Sequence, residues 1–158
     1  MSEEYNTVIE TNRIIHESAY TYAMSTIPEM FFQVGDIILD GLINNTKIKI
    51  LVDTGAQESI LTSDGLKKLG LEYLVDDKEK IEIHGITGKE SSLGKIWYVD
   101  LSINDIEYPI TLTVSKMKSD KIDIILGINF LQSYRAQLDF WNKTLKLNNK
   151  YTISFNYS

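Results

Sequence analysis

The chain has 158 residues, enough for one domain or for one domain with a short extension. Its composition, 43% hydrophobic and 24% charged, is that of a globular protein, and it contains no run of about 20 apolar residues that could span a bilayer. A net charge of −6, with 16 scattered Lys and Arg residues, argues against a nucleic-acid-binding surface, and the absence of cysteine excludes disulfides, thiolate catalysis and Cys-based zinc sites.

The start, Met1-Ser2-Glu3-Glu4, is acidic and lacks an apolar h-region, so no secretory signal is expected. Residues 1–29 differ from the rest. Val8, Ile15 and Tyr22 recur every seven residues, with Ala19 and Ala23 nearby. This pattern reads either as a helix that stops before Pro28 or as a flexible arm. Residues 30–158 read as short strands. Asp36–Ile43 and Thr46–Val52 flank Asn44-Asn45, a pair suited to a tight hairpin. In the second of these strands Ile48, Ile50 and Val52 alternate with Lys47, Lys49 and Leu51. Ser63-Asp64 suits the cap of a short helix, Gly65–Leu69, ending at Gly70. Lys80–Ile86 and Lys95–Ile103 read as strands around a polar, Gly-containing stretch, and Asn104-Asp105 turns the chain into strand Ile106–Val114. Ile122–Leu126 is almost wholly apolar, as expected of a buried strand. Ile128–Tyr134 reads as a short helix, and strands Ala136–Trp141 and Thr144–Leu147 follow around Asn142-Lys143. Further on, Tyr151, Ile153, Phe155 and Tyr157 alternate. Short strands at this spacing indicate an all-β fold, a barrel or a sandwich.

The sharpest chemical signal is Ile50-Leu51-Val52-Asp53-Thr54-Gly55-Ala56. An apolar strand delivers an Asp directly into a turn, although strand interiors disfavour Asp. The structural reading of this segment is a turn capped by Asp53. The functional reading is a carboxylate at the edge of a core, with Thr54 able to lock the loop through its hydroxyl and Gly55 allowing close approach of another backbone. A second signal, Ile124-Ile125-Leu126-Gly127-Ile128-Asn129-Phe130-Leu131, begins 71 positions after Asp53. Glycine-bearing Gly85-Ile86-Thr87-Gly88 lies between the two.

These segments resemble the paired signatures of retropepsins, the aspartic peptidases of retroviruses and LTR retrotransposons. Asp-Thr/Ser-Gly-Ala follows an apolar strand, and apolar-apolar-Leu-Gly-x-Asn/Asp precedes a short helix. Gln57 and the tail Leu126–Leu147 look most like Ty3/gypsy-type retrotransposon and plant pararetrovirus proteases. The retropepsin-like domain of the DNA-damage-inducible ubiquitin-shuttle proteins, which also has Gln after its Ala, is the cellular alternative. Orthoretroviral enzymes usually carry an Asp and an Arg, as an ion pair, where Gln57 and Ile128 stand here.

The resemblance implies a closed β-barrel of the retropepsin type with one or two short helices. It implies an aspartic endopeptidase with Asp53 as the catalytic residue and Thr54, Gly55 and Ala56 as the active-site loop. Gln57 and the flap residues Gly85, Ile86, Thr87 and Gly88 would contact the substrate. Only one Asp-Thr/Ser-Gly is present, and two adjacent carboxyls sharing a proton are required. The expected partners are therefore a second copy of the chain and a peptide or polyprotein substrate, with no nucleic acid, no membrane, no metal and no cofactor. The main expectation is processing of a retroelement or pararetrovirus polyprotein, in the cytoplasm or within virus-like particles. The alternatives are a cellular peptidase of the ubiquitin-shuttle type and a non-catalytic retropepsin-like dimerisation module. His84, His16 and the acidic cluster Asp76, Asp77 and Glu79 read as solvated rather than chemical groups.

Overall fold

The computed structural model describes residues 2–31, 35–78, 82–85 and 88–157. Contacts divide the chain into two units, Met1–Gly35 and Asp36–Ser158, a boundary a few residues beyond the expected one at residue 30.

The first unit is helix α1 (Glu3–Thr26) followed by a 3₁₀ turn, Pro28–Met30. Ser2 caps the helix, its Oγ accepting from the Tyr5 N–H at 3.4 Å, and Glu3 and Glu4 place negative charge against the positive end of the helix dipole. Arg13 pairs with Glu10 and with Glu17, at i−3 and i+4. Pro28 cannot continue the helix, and α1 ends just before it.

Among the described residues the second unit is β apart from two short α-helices and a 3₁₀ turn, Glu72–Leu74. β1 (Ile37–Ile43) and β2 (Thr46–Val52) form a hairpin in the register Ile43↔Thr46, and the turn residues Asn44 and Asn45 both take positive φ, 49° and 63°. Asparagine tolerates that conformation, which matches the twist of the strands. β3 (Ile60–Leu61) leads into α2 (Ser63–Leu69). The cap of α2 is Thr62 rather than Ser63-Asp64: Thr62 Oγ1 accepts from Gly65 N–H at 3.0 Å, and the hydroxyl donates to the Ile122 carbonyl at 3.2 Å. Gly70 ends α2 with φ of 64°, as its position suggested.

β4 (Glu82–Gly85) and β5 (Gly88–Ser91) form a separate hairpin in which Gly85 pairs with Gly88. Ile86 and Thr87, between them, lie outside the described residues. β6 (Gly94–Ile103) and β7 (Ile106–Val114) form the longest hairpin, turning at Asn104-Asp105. β8 (Ile124–Leu126) and α3 (Ile128–Ser133) come next. β9 (Gln137–Asp139), β10 (Thr144–Leu147) and β11 (Tyr151–Ser154) form a three-stranded sheet, and β12 (Asn156–Tyr157) follows.

The main sheet runs β12-β1-β2-β8-β3-β7-β6, and the pairing of β1 with β6 at Leu42↔Ser102 closes it into a six-stranded barrel. Closure removes the open edges that an unpaired sheet would present. The interior is filled by alternate residues, among them Leu39, Ile43, Ile48, Ile50, Leu61, Ile96, Leu101, Leu112, Ile124 and Leu126. Full burial of one such side chain contributes about 1.5–3 kcal/mol. Lys47 and Lys49 on β2 point the other way and are exposed, as the period-two pattern requires. The alternating tail is consumed inside the chain: Ile153 and Phe155 are buried in the core, and β12 pairs with β1 at Ile37↔Tyr157. No helix among the described residues is long and apolar enough to cross a membrane.

Candidate active site

The site is assembled by the strands that carry the two signatures. β2 and β8 run parallel in the register Val52↔Leu126, so both signatures leave the barrel side by side, Asp53 from one strand and Gly127 from the other. β8 is buried, with Ile124 and Leu126 at 0% exposure, as its apolar run indicated. The Asp53 N–H donates to the Leu126 carbonyl at 3.0 Å, which fixes the first residue after β2 to the end of β8.

Beyond that point the chain turns. The Ala56 N–H donates to the Asp53 carbonyl at 3.3 Å, and the Gly55 N–H donates to Asp53 Oδ1 at 2.8 Å. Asp53 is therefore part-buried with one carboxylate oxygen held by its own loop, while Oδ2 makes no hydrogen bond among the described residues. Thr54, Gly55 and Gln57 are exposed, and Ala56 is buried.

The two signature loops are then tied together. The Ile128 N–H donates to the Ala56 carbonyl at 2.7 Å and the Asn129 N–H to the Gln57 carbonyl at 3.0 Å. Ser59, fully buried, accepts from the Gly127 N–H at 3.1 Å, and its hydroxyl donates to Asn129 Oδ1 at 2.7 Å. Ser59 was not apparent from the sequence, where a serine before a short strand carries no special signal. Its role depends on residues 68 and 70 positions away.

Two expected roles fall differently. The close backbone approach foreseen at Gly55 belongs to Gly127, where a Cβ would lie 2.4 Å from the Glu58 carbonyl oxygen and 2.7 Å from that of Ala56. A Cβ at Gly55 would meet only Asp53 Oδ1, at 3.2 Å. The Thr54 hydroxyl does not lock its own loop, since it makes no hydrogen bond among the described residues. Glu58 points to the barrel, accepting from the Thr113 hydroxyl at 3.0 Å and pairing with Lys95 at 3.4 Å.

Asp123, just before β8, is 7% exposed; its Oδ2 accepts from the Lys49 N–H and from Lys68 Nζ, each at 2.9 Å. A groove of about 290 Å³ opens beside Thr54, lined by Ile128, Leu131, Arg135 and Leu138 among others. Of the flap residues, Gly85 and Gly88 are placed as the last pair of the β4–β5 hairpin, and Ile86 and Thr87 are outside the described residues. In the acidic cluster, Asp76 accepts from Trp97 Nε1 at 2.9 Å and from the Lys78 N–H at 3.0 Å, which hold its carboxyl below the usual carboxylate range.

A barrel that presents Asp-Thr-Gly beside a Leu-Gly-x-Asn loop is the arrangement of an aspartic peptidase half-site. The chain belongs to the aspartyl protease family, which matches residues 28–139. It is 34% identical over 128 residues to the UBA domain-containing protein Mud1 of Schizosaccharomyces pombe, covering 81% of this chain and 38% of that protein. It is 33% identical over 126 residues to DNA damage-inducible protein 1 of Saccharomyces cerevisiae, covering 79% of this chain and 28% of that protein. Among solved structures, the retroviral protease-like domain of Ddi1 from Leishmania major has the same fold. It superposes with a TM-score of 0.66 at 23% identity, covering 78% of this chain and 95% of that domain. The chain thus spans about a third of the length of the curated relatives it matches. These relatives are cellular proteins and not retrotransposon or pararetrovirus proteases.

Proposed function

We propose that this chain is the protease part of a homodimeric aspartic endopeptidase of the cellular, ubiquitin-shuttle type, with Asp53 of each copy forming the catalytic pair. The cellular reading rests on the likeness to the two yeast proteins. The chemical reading rests on one observation: Asp53 is fixed at the end of β2 where it pairs with the buried β8, with Oδ1 held by the Gly55 N–H and Oδ2 making no hydrogen bond among the described residues.

One such carboxyl cannot act as general acid and general base together. Two, brought together across a twofold axis, repel when both are ionised and so share a proton. The ionised partner accepts a proton from water as that water attacks the peptide carbonyl. The protonated partner donates to the carbonyl oxygen, where charge develops. The exposed Thr54 hydroxyl, which makes no hydrogen bond among the described residues, suits one across that axis, and the groove beside Thr54 offers the second copy an apolar seat. Ala56 and Gln57 flank the substrate path. The β4–β5 hairpin is the lid, with Gly85, Ile86, Thr87 and Gly88 at its end, adding hydrogen bonds to an extended peptide by strand addition. The mechanism uses no metal or organic cofactor.

The test is digestion of a peptide library by the purified chain, with and without a statine-type inhibitor, beside Asp53→Asn. The substitution is nearly isosteric and removes the base, so an activity loss of at least about 1,000-fold with an unchanged circular dichroism spectrum is expected. Specific activity should rise with protein concentration and then plateau. Adding excess Asp53→Asn chain to wild type should suppress activity through one-carboxylate heterodimers. Near-wild-type turnover by Asp53→Asn would remove Asp53 from the mechanism.

A further inference from the structure

Helix α1 contains no buried residue, and Tyr5, Val8, Ile15 and Tyr22 on it are 51%, 57%, 57% and 71% exposed. Their spacing is that of a heptad. With Tyr5 at position a, Asn12 and Ala19 are also a, and Val8, Ile15 and Tyr22 are d. The charged residues are segregated from this seam. Glu10 and Glu17 fall at f and Arg13 at b, and these three satisfy one another along their own helix. Glu4 is the one charged residue of α1 that flanks the seam, at g.

We propose that α1 pairs in parallel with α1 of a second copy of this chain, as a short two-stranded coiled coil. Asn12 points to this occupant. In a parallel, in-register pair the two Asn12 amides meet and hydrogen-bond each other, whereas in an antiparallel or shifted pair each is buried against an apolar side chain without a partner. The β-branched Val8 and Ile15 at d would equally suit larger bundles; Asn12 at a selects two strands. A lipid surface fits poorly. The helix carries four Glu and one Arg, and surface-lying membrane helices are rich in Lys and Arg.

The inference rests on the homodimer proposed above. Three heptads with Ala19 and Asn12 at a positions hold weakly alone, but a second contact between the same two chains makes the pairing intramolecular. The helix pair in turn lowers the concentration at which two Asp53 carboxylates come together.

The full chain contains no cysteine, so a single introduced thiol reports cleanly. Ile15→Cys at d and Glu17→Cys at f are both surface changes and leave each unit's packing intact. At concentrations where sedimentation shows a dimer, mild oxidation should cross-link Ile15→Cys at least tenfold faster than Glu17→Cys. Equal rates, or a faster Glu17→Cys, overturn the parallel pairing. In addition, Ile15→Glu should raise the half-dimerisation concentration at least tenfold without altering the thermal unfolding of the β-barrel. An unchanged dimerisation curve for Ile15→Glu overturns the helix pair and leaves the homodimer standing. A wild-type chain that stays monomeric at every concentration overturns the homodimer and this pairing together.

Discussion

Replacing Gly127 by alanine tests how the two signature loops are joined. The new methyl carbon would sit 2.4 Å from the Glu58 carbonyl oxygen and 2.7 Å from the Ala56 carbonyl oxygen. Both obstacles are backbone, so no rotamer change relieves them. The loops must separate, which breaks or stretches the bonds Ile128 N–H to Ala56 O, Asn129 N–H to Gln57 O and Gly127 N–H to Ser59 Oγ. Three hydrogen bonds at about 1 kcal/mol each, with about 1 kcal/mol of steric strain, give a loss of about 4 kcal/mol. For a chain of this size that lowers the midpoint of thermal unfolding by roughly 10 °C or more. Circular dichroism is the suitable readout, because Trp97 and Trp141 are already 52% and 93% exposed and their fluorescence will respond little to unfolding. Gly55→Ala is the internal control. Its Cβ would meet only Asp53 Oδ1 at 3.2 Å, so stability should change by less than about 1 kcal/mol while the carboxylate is displaced and activity falls. A Gly127→Ala protein within about 1 kcal/mol of wild type would refute the claim that this glycine sets the spacing of the loops.

Ser59→Ala removes the acceptor of Gly127 N–H and the donor to Asn129 Oδ1 in a fully buried site, and should lower stability by about 2 kcal/mol in urea unfolding. Asp123→Ala strips the Lys49 N–H and Lys68 of their shared acceptor, with an expected loss of about 2–3 kcal/mol by the same measurement. Tyr108 is 2% exposed, and its hydroxyl has no hydrogen-bond partner among the described residues, so Tyr108→Phe should unfold at the same temperature or higher. Asp76 has a carboxyl pKa lowered by Trp97 first and by the Lys78 N–H second, so its contribution is present above the unfolded-state pKa of about 4 and disappears as pH falls below that value. Asp76→Asn should accordingly be less stable than wild type at pH 6, by a margin that shrinks as pH falls below about 4 and through the lowered folded-state pKa; a gap that widens on acidification would reverse the assignment.

What could be read directly from the residues was local. The Asn44-Asn45 turn, the Gly70 helix stop and the β2 alternation each depend on neighbours within a few positions, and the conformation of the short segment decides them. The Asp53 turn was legible for the same reason: an Asp at the end of an apolar strand is a conflict that local propensity alone does not resolve. Contacts between residues far apart in the chain were not legible. The cap of α2 moved to Thr62 because its hydroxyl also reaches the Ile122 carbonyl, 60 residues on. Glu58, two positions after Ala56, turned to the barrel because β7 brings Thr113 within reach and β6 brings Lys95. The same holds for the glycine that admits the neighbouring loop. The residue pattern pointed to Gly55 for that role, and the parallel pairing of β2 with β8 places Gly127 against the Ala56–Glu58 backbone instead. The tail residues Ile153 and Phe155 declared an apolar face, but only barrel closure determined that their own core receives it and that β12 lies beside β1. Side-chain periodicity specifies which face of an element is apolar. Which other element covers that face depends on the packing of the whole chain.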